Sequence, residues 1–220
     1  MRKHATSEIA TSSNRKLYLS MLRAHAHELL VMGYVRLDPS DLACNEEPDI
    51  TGKLVSAMSE ALEEDDAPDW ADRYALKDDP PLNTPGRYGK RRPRVDIEFE
   101  LVRRGPRPRL RFEAKRLGPR NPVSEYLGND GLGCFIAGKY PMTHNEAGML
   151  GYVQSGSEDL WATRISESLK KSPKKYSLKP LGQWQKVQLT KSYHHTYRTV
   201  HFGPNSGSDV AIHHVLLRCC

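Results

Sequence analysis

The sequence predicts an α/β protein, a single domain with one mixed central β-sheet flanked by helices. Apolar residues recur at helical spacing over residues 15–32 and 45–64, and hydrophobicity then alternates with a period of two over 95–102 and 109–117. Strand-like and helix-like segments alternate over the rest of the chain. With 220 residues, the protein has the size that one hydrophobic core can support.

The first part of the chain is predicted to form two helices and a connection. Residues 1–14 are polar and unpatterned, which predicts a flexible N-terminus. A first helix is expected over 15–32, and a second over 45–64 with Pro48 near its first turn. Residues 78–93 contain four prolines and two glycines, so we expect a connection with no regular element there.

The second part is predicted to supply most of the sheet. The two alternating segments are joined by RGPR, which is turn chemistry, and therefore predict a β-hairpin. Residues 124–140 are rich in glycine and fit either one helix or a helix with a loop. A buried strand is expected over 146–156, followed by a helix that Ser157 caps. Three further strands are predicted, over 184–189, 192–200 and 209–218.

Composition argues against a membrane span and against a disulfide framework. Hydrophobic residues make up 38% of the chain, and no apolar run approaches the ~20 residues that a span requires. The four cysteines show no CxxC spacing, which makes a structural zinc site or a disulfide framework a poor interpretation. A reducing, cytoplasmic location is the simpler expectation.

Basic residues are concentrated in two segments. The net charge is +6, yet residues 87–120 carry 13 Lys and Arg against 4 Asp and Glu, and residues 160–220 carry 10 against 2. Such segments suit contacts with nucleic-acid phosphates, where they release condensed counterions. A solvated basic face with no partner explains the same pattern, so charge alone does not decide between the two.

The segment RLRFEAKRL, residues 109–117, places an acid and a lysine in an otherwise strand-like run. Side chains alternate across a strand, so Glu113 and Lys115 share one face. A turn centred on the Gly-Pro step places Asp96 opposite Lys115, and Glu98 opposite Glu113. This register predicts that Asp96, Glu113 and Lys115 converge.

Two neighbouring carboxylates repel each other unless a cation lies between them. Oxygen ligands favour Mg²⁺, which keeps several waters that a substrate phosphate can displace. A nearby lysine can orient or deprotonate the attacking water, or neutralise charge that develops on phosphorus. This combination of groups predicts phosphodiester hydrolysis.

These residues resemble the PD-(D/E)xK nucleases, the restriction-endonuclease-like superfamily. Asp96 matches the first acid, Glu113 the second and Lys115 the lysine, while Val95 stands where the family often has proline. The resemblance implies a catalytic set of these three residues, with Asp96 and Glu113 as the metal ligands. It also implies a glutamate from the preceding helix, for which Glu47 is the candidate.

The resemblance further implies a restriction-endonuclease-like nuclease domain over residues 15–220. Its expected cofactor is Mg²⁺, with Mn²⁺ as a substitute, and its expected substrate is DNA. A role in bacterial restriction or antiphage defence, with a partner protein, and a homodimer are further expectations. Four arginines of the first basic segment are the candidates for binding DNA phosphates: Arg91, Arg92, Arg94 and Arg116.

Other interpretations of the same residues stay open. The charged hairpin residues can be ordinary cross-strand ion pairs, in which case the protein is a catalytically inactive nucleic-acid-binding or scaffolding subunit. The pairs His194-His195 and His213-His214 suggest a transition-metal site, although no further ligand has a recognisable spacing. GNDGLG lacks the GK[ST] end of a phosphate-binding loop, and no serine lies in a nucleophile elbow.

Overall fold

A seven-stranded mixed β-sheet forms the centre of the molecule in a computed structural model, which describes residues 3–204 and 207–220, with side chains from residue 17. The strands are β1 (Tyr74–Asp78), β2 (Ile97–Leu101), β3 (Arg109–Leu117), β4 (Glu146–Val153), β5 (Gln185–Lys186), β6 (Thr196–Phe202) and β7 (Asp209–Arg218). Their order across the sheet is β1-β2-β3-β4-β7-β6-β5. The pairs β3–β4 and β4–β7 are parallel, and all others are antiparallel.

Helices cover both faces of this sheet. They are α1 (Lys3–Tyr34), α2 (Glu47–Glu63), α3 (Val123–Tyr126), α4 (Gly133–Ile136) and α5 (Glu158–Lys171). One apolar core joins α1 and α2 to one face, and a second core joins α3, α4 and α5 to the other. The prediction of a single α/β domain with a mixed sheet between helices is therefore confirmed. Among the described helices, none has the length and apolar character needed to cross a membrane.

The hairpin forms as predicted, but its register differs from the predicted one. Strands β2 and β3 are antiparallel, with Ile97 paired to Phe112 and Glu98 paired to Arg111. Gly105 adopts a φ of 83° in the turn, a conformation that favours glycine. The pairing is shifted by two residues, so Glu98 does not lie opposite Glu113. A shift of two preserves the faces, because the side-chain period of a strand is also two.

Several element boundaries differ from the expectations. Helix α1 begins at Lys3 rather than at residue 15, while the flexibility predicted for residues 1–14 stays a prediction. Strand β1 was not expected, and a short 3-10 turn, Gly89–Arg91, interrupts the proline-rich connection. The glycine-rich segment 124–140 contains two one-turn helices, and the strand predicted over 184–189 shortens to two residues.

The C-terminal elements follow the predicted order. Helix α5 starts after Ser157, whose Oγ accepts a hydrogen bond from the Leu160 N–H at 3.2 Å. Strand β7 spans the predicted residues 209–218 and β4 ends three residues before its predicted end, whereas β6 begins only at Thr196. His194 and His195 therefore precede the strand instead of lying in it.

The prediction that one member of each histidine pair points inward is wrong for His213 and His214. Both are buried, with 2% and 0% of their surface exposed. They point to opposite faces of β7, as alternation requires, but each face carries a packed layer of helices. Because they point to opposite faces of the sheet, His213 and His214 do not bind one metal ion together.

A buried hydrogen-bond chain connects two of the histidines. His201 Nδ1 donates to the Tyr176 carbonyl at 2.7 Å, which leaves the neutral Nε2 to accept from the Thr199 hydroxyl at 2.7 Å. Thr199 Oγ1 in turn accepts from His214 Nε2 at 2.8 Å, and His214 Nδ1 accepts from the Tyr126 hydroxyl at 2.9 Å. The carbonyl at one end fixes this direction and hence both tautomers. Burial lowers the pKa of His201 to about 4, so the neutral form persists.

Replacing Thr199 by valine should destabilise the fold, because the hydroxyl is both donor and acceptor in this chain. Thr199→Val leaves one buried N–H of His214 and one lone pair of His201 without partners. We expect the free energy of unfolding to fall by about 2–4 kcal/mol, measured by urea denaturation. Thr199→Ser keeps the hydroxyl and is the control. Equal losses for the two variants would show that the chain contributes nothing to stability.

Candidate active site

All four side chains predicted to form the catalytic set lie together where β3 meets the start of α2. Lys115 Nζ lies 2.7 Å from Glu47 Oε1 and 3.0 Å from Glu113 Oε1. Asp96 precedes β2, and its Oδ2 accepts a hydrogen bond from the Ala114 N–H at 2.6 Å. Continued pairing places Asp96 across from Glu113 rather than from Lys115, which corrects the predicted register. The convergence predicted from the sequence is nevertheless present.

The start of α2 is held in place by contacts to the sheet. Gln154, just after β4, donates to the carbonyls of Leu42 and Asn45 at 3.0 and 2.8 Å. One turn into the helix, the Thr51 hydroxyl contacts the Tyr152 hydroxyl at 2.9 Å in the buried core. These bonds fix the height of the helix above β4. Its first residue, Glu47, therefore reaches the end of β3.

Glu47 binds two groups of the neighbouring strand. Its Oε1 accepts from Lys115 Nζ, and its Oε2 accepts from the backbone N–H of Arg116 at 3.2 Å. The preceding residue, Glu46, forms an ion pair with the Arg116 side chain at 2.6 Å. Two adjacent glutamates thus attach the helix to β3, and Glu47 is the one that faces the candidate site.

The electrostatics of the site show an excess of negative charge. Burial raises the pKa of Asp96 to about 6, although the Ala114 hydrogen bond opposes this shift. Burial and then repulsion from Asp96 raise the pKa of Glu113 to about 8, despite the neighbouring Lys115. Burial acts to lower the pKa of Lys115, but Glu113 and Glu47 outweigh it and hold that pKa above the ordinary lysine value.

One oxygen of this site has no partner. Glu113 Oε2 is buried and accepts no hydrogen bond from the described residues. The Tyr140 hydroxyl interacts with the same carboxyl group and lowers its pKa slightly, but it does not meet hydrogen-bond geometry at Oε2. Cys134 lies close enough for the charge of Glu113 to affect its pKa. Neither Tyr140 nor Cys134 was predicted from the sequence, since no spacing in or after the one-turn helices connects them to the hairpin.

The rest of the same hairpin face carries a ladder of ion pairs, which we call the charge ladder. It consists of two buried glutamates, Glu98 and Glu100, and of four cationic partners, Lys77, Arg107, Arg109 and Arg111. Five of its ion pairs have distances from nitrogen to oxygen between 2.6 and 2.9 Å, and Arg109 also approaches Glu98 at 3.4 Å. Cross-strand ion pairs, the alternative interpretation of the charged strands, therefore apply to this part of the hairpin.

The charge ladder and the candidate site differ in how well their carboxylates are compensated. Burial raises the pKa of Glu100, but hydrogen bonds from Lys77, Arg107 and Arg109 overcome this and bring it to about 2. The pKa of Glu113, on the same face, moves the other way. The hairpin thus compensates its acids at one end and leaves them undercompensated at the other.

The four arginines predicted to bind DNA are already partly engaged. Arg94 forms an ion pair with Asp79 at 2.6 Å, and Arg116 pairs with Glu46. Arg92 donates to the Asn83 side chain at 3.0 Å, whereas Arg91 is exposed. The structure places all four near the hairpin. Those with a carboxylate partner must exchange it for a phosphate if they bind DNA.

The donor set fits a divalent cation bound through few protein ligands. Three carboxylates and one ammonium leave two excess negative charges when all are ionised, and Glu113 Oε2 is an unpartnered hard oxygen. No cluster of three or more His, Cys, Asp and Glu ligands exists in the described ranges. Mg²⁺ does not require one, because it commonly binds through one or two carboxylates and keeps its waters. Asp96 and Glu113 are the residues that fit this role.

Comparisons of the chain with protein-family models, with curated proteins and with solved structures give no match. The membership of the PD-(D/E)xK nucleases expected from the sequence therefore stays a prediction.

Removal of the Glu113 charge should stabilise the metal-free protein above neutral pH. A carboxyl group whose pKa is raised on folding binds more protons in the folded state, so stability falls as pH rises from about 4.5 to about 8. Glu113→Gln removes this loss, while Lys115 keeps Glu47 as its partner. We expect a gain of about 1–3 kcal/mol at pH 8.5 and little change at pH 4.5, measured by urea denaturation in EDTA.

The matched control for this prediction is Glu100→Gln, at the compensated end of the same face. The pKa of Glu100 is lowered, so its contribution to stability is present above pH 4.5 and is lost as pH falls through about 2. This variant should be less stable than wild type at pH 8.5. Destabilisation by both substitutions at pH 8.5 would contradict the unequal compensation of the two glutamates.

Proposed function

We propose that the protein is a Mg²⁺-dependent nuclease of the PD-(D/E)xK type that hydrolyses phosphodiester bonds of DNA, within a restriction-endonuclease-like domain. The observation that carries the proposal is the undercompensated end of the hairpin. Asp96, Glu113 and Glu47 lie around one lysine, whereas the acids of the charge ladder are saturated with cations. A buried cluster that is costly without a cation is typical of a site selected for function.

Asp96 and Glu113 would hold the metal ion. A bound Mg²⁺ supplies Lewis-acid stabilisation of the charge on the scissile phosphate. The hydrogen bond from the Ala114 N–H orients Asp96 Oδ2, so its other oxygen is available. Glu113 Oε1 contacts Lys115, which leaves the unpartnered Oε2. Mn²⁺, which has similar ligand preferences, is expected to substitute.

Lys115 acts on the water or on the phosphate. Its raised pKa keeps the side chain protonated at neutral pH, so it donates hydrogen bonds rather than removing a proton. Glu47 holds the ammonium from the opposite side at 2.7 Å and prevents it from folding onto Glu113 alone. The lysine is thereby positioned to orient the attacking water or to stabilise negative charge on phosphorus during a direct displacement.

DNA is the proposed substrate because the site lies within the first basic segment. Arg91 is exposed beside the hairpin, and Arg92, Arg94 and Arg116 lie close by with partners that a phosphate can replace. A cytoplasmic restriction or antiphage system, with a partner protein that selects the target, is the setting we propose. A homodimer is part of this proposal.

The rival function is a nucleic-acid-binding or scaffolding subunit without cleavage. One observation favours it: Lys115 bridges Glu47 and Glu113 at 2.7 and 3.0 Å and so closes the cluster into an ordinary ion-pair network. In that case the ammonium is itself the structural cation. The rival requires no metal and predicts binding with no turnover.

Cleavage of supercoiled plasmid in Mg²⁺ separates the two functions. We expect wild type to nick the plasmid, and Asp96→Asn and Lys115→Gln each to reduce the rate at least about 100-fold, since each removes a group that acts on the reacting phosphate. Asp66→Asn, on an exposed turn, makes the same chemical change as Asp96→Asn and should leave the rate unchanged. Removal of the metal with EDTA should abolish cleavage, and Mn²⁺ should restore it.

Two results would overturn the nuclease proposal. One is plasmid binding by wild type with no nicking in either metal. The other is cleavage at the wild-type rate by Asp96→Asn and Lys115→Gln, which would assign the activity to other residues. Circular dichroism of each variant confirms that the comparison is made between folded proteins.

A further inference from the structure

A groove of about 680 Å³ lies far from the hairpin, where the end of α5 and the loop that follows it meet the end of β6. Three lysines, two prolines and one aromatic ring contribute to its walls: Lys170, Lys174, Lys179, Pro173, Pro180 and Phe202. The groove belongs to the second basic segment of the sequence. Neither the candidate active site nor the charge ladder contributes a residue to it.

The walls of this groove are fixed before any ligand binds. Its loop is tied to β6 by backbone hydrogen bonds from Lys179 N to Val200 O at 2.9 Å and from Phe202 N to Ser177 O at 2.7 Å. Gly182 packs so closely on the strand that an added Cβ would lie 2.3 Å from Val200 O. A preformed groove binds a ligand without first paying the entropy of ordering its own loop.

The charges in the groove are available to a ligand. In the part of the chain that the structure describes, Lys170 and Lys174 form no ion pair with a carboxylate, and both are exposed. Lys179 has a different role, since Asp209 neutralises it at 2.6 Å and its Nζ lies 5.1 Å from the centre of the Phe202 ring. Phe202 is thus held in position while 52% of its surface stays exposed.

We propose that this groove binds single-stranded nucleic acid, with phosphates on Lys170 and Lys174 and a base stacked on Phe202. A cationic groove with an accessible aromatic ring is the combination that such proteins use, because every base offers a ring face. A duplex keeps its bases stacked on each other and gives Phe202 nothing to stack on. An acidic peptide would use the lysines and leave the ring unused.

A single-strand site of this kind would hold a DNA strand near the proposed nuclease site, so this role rests on the proposed function. Counting along the sheet, three strand spacings and five residues separate Phe202 from Glu113, which corresponds to roughly 20 Å. Five is an odd number, so the Phe202 side chain leaves β6 on the face opposite to Glu113, at the end of the strand where Lys170 of α5 and Leu178 also line the groove. About six phosphates at the ~3.4 Å spacing of a B-form strand cover this distance. A released single strand longer than this minimum is therefore long enough to pass round the end of β6 to the groove.

The test measures binding of a fluorescein-labelled oligothymidylate of about 20 nucleotides by anisotropy, in EDTA. Lys170→Gln/Lys174→Gln should weaken binding and reduce the slope of log affinity against log salt by about 1.4, since each phosphate contact on a single strand contributes about 0.7. Phe202→Ala should weaken binding roughly 5- to 100-fold through lost stacking. Lys171→Gln/Lys175→Gln makes the same charge change on the same segment outside the groove, and its salt slope should stay at the wild-type value.

Three results would overturn the proposal: wild-type affinity in the lysine variant, wild-type affinity in Phe202→Ala, or equal loss of slope in the control pair. If the lysine change weakens binding of polyglutamate as strongly as that of oligothymidylate while Phe202→Ala weakens neither, the groove is a site for acidic peptides instead. Because EDTA prevents metal-dependent cleavage, these results are independent of the plasmid assay. The two assays therefore distinguish a nuclease whose groove does not bind single strands from a single-strand-binding protein without nuclease activity.

Discussion

The desolvation of four carboxylates on one face of a single hairpin is the constraint around which this structure is organised. Buried carboxylates are stable only when cations or hydrogen-bond donors replace the lost water. Glu98 and Glu100 meet this condition through the charge ladder, in which Lys77 bridges both of them. Asp96 and Glu113 do not meet it, because Lys115 alone has to compensate the charges of Asp96, Glu113 and Glu47. Both pairs of acids lie on one face of the same two strands, so the difference in their compensation comes from the side chains around them and not from the backbone.

This division also changes the meaning of the first basic segment. Its excess of arginine suggests a surface for polyanions, yet much of that charge is used inside the protein. Arg109 and Arg111 bind buried glutamates at 2.7 Å and are not free to bind phosphates. The second basic segment is different, because Lys170 and Lys174 point into a preformed groove without carboxylate partners in the described structure. A count of charges in the sequence does not separate these cases, since it does not show which cations face buried acids.

The periodicity of a strand explains why the candidate site could be predicted from the sequence although the register was wrong. The predicted pairing placed Asp96 opposite Lys115, two residues from the observed alignment. An error of two leaves every side chain on its face, whereas an error of one would have separated Asp96 from Glu113. Glu47 was found because helical spacing placed it on the packed side of α2. Tyr140 was not, because its approach to Glu113 depends on long-range packing that no local pattern records.

The elements of the fold that have local signals were predicted correctly, and the histidine pair of β7, whose burial depends on the whole sheet, was not. The period-two alternation of hydrophobic residues predicted β2 and β3, and the Ser157 cap predicted α5. Both signals are local. The histidine prediction failed because it assumed that one face of β7 meets solvent. Here β7 pairs in parallel with β4 in the interior of the sheet, and helices cover both faces, so alternation sends His213 and His214 into two different cores. On one face His213 packs against His27 of α1, and on the other His214 continues the buried hydrogen-bond chain through Thr199. Burial on both faces is a property of the assembled sheet, and a single strand cannot reveal it.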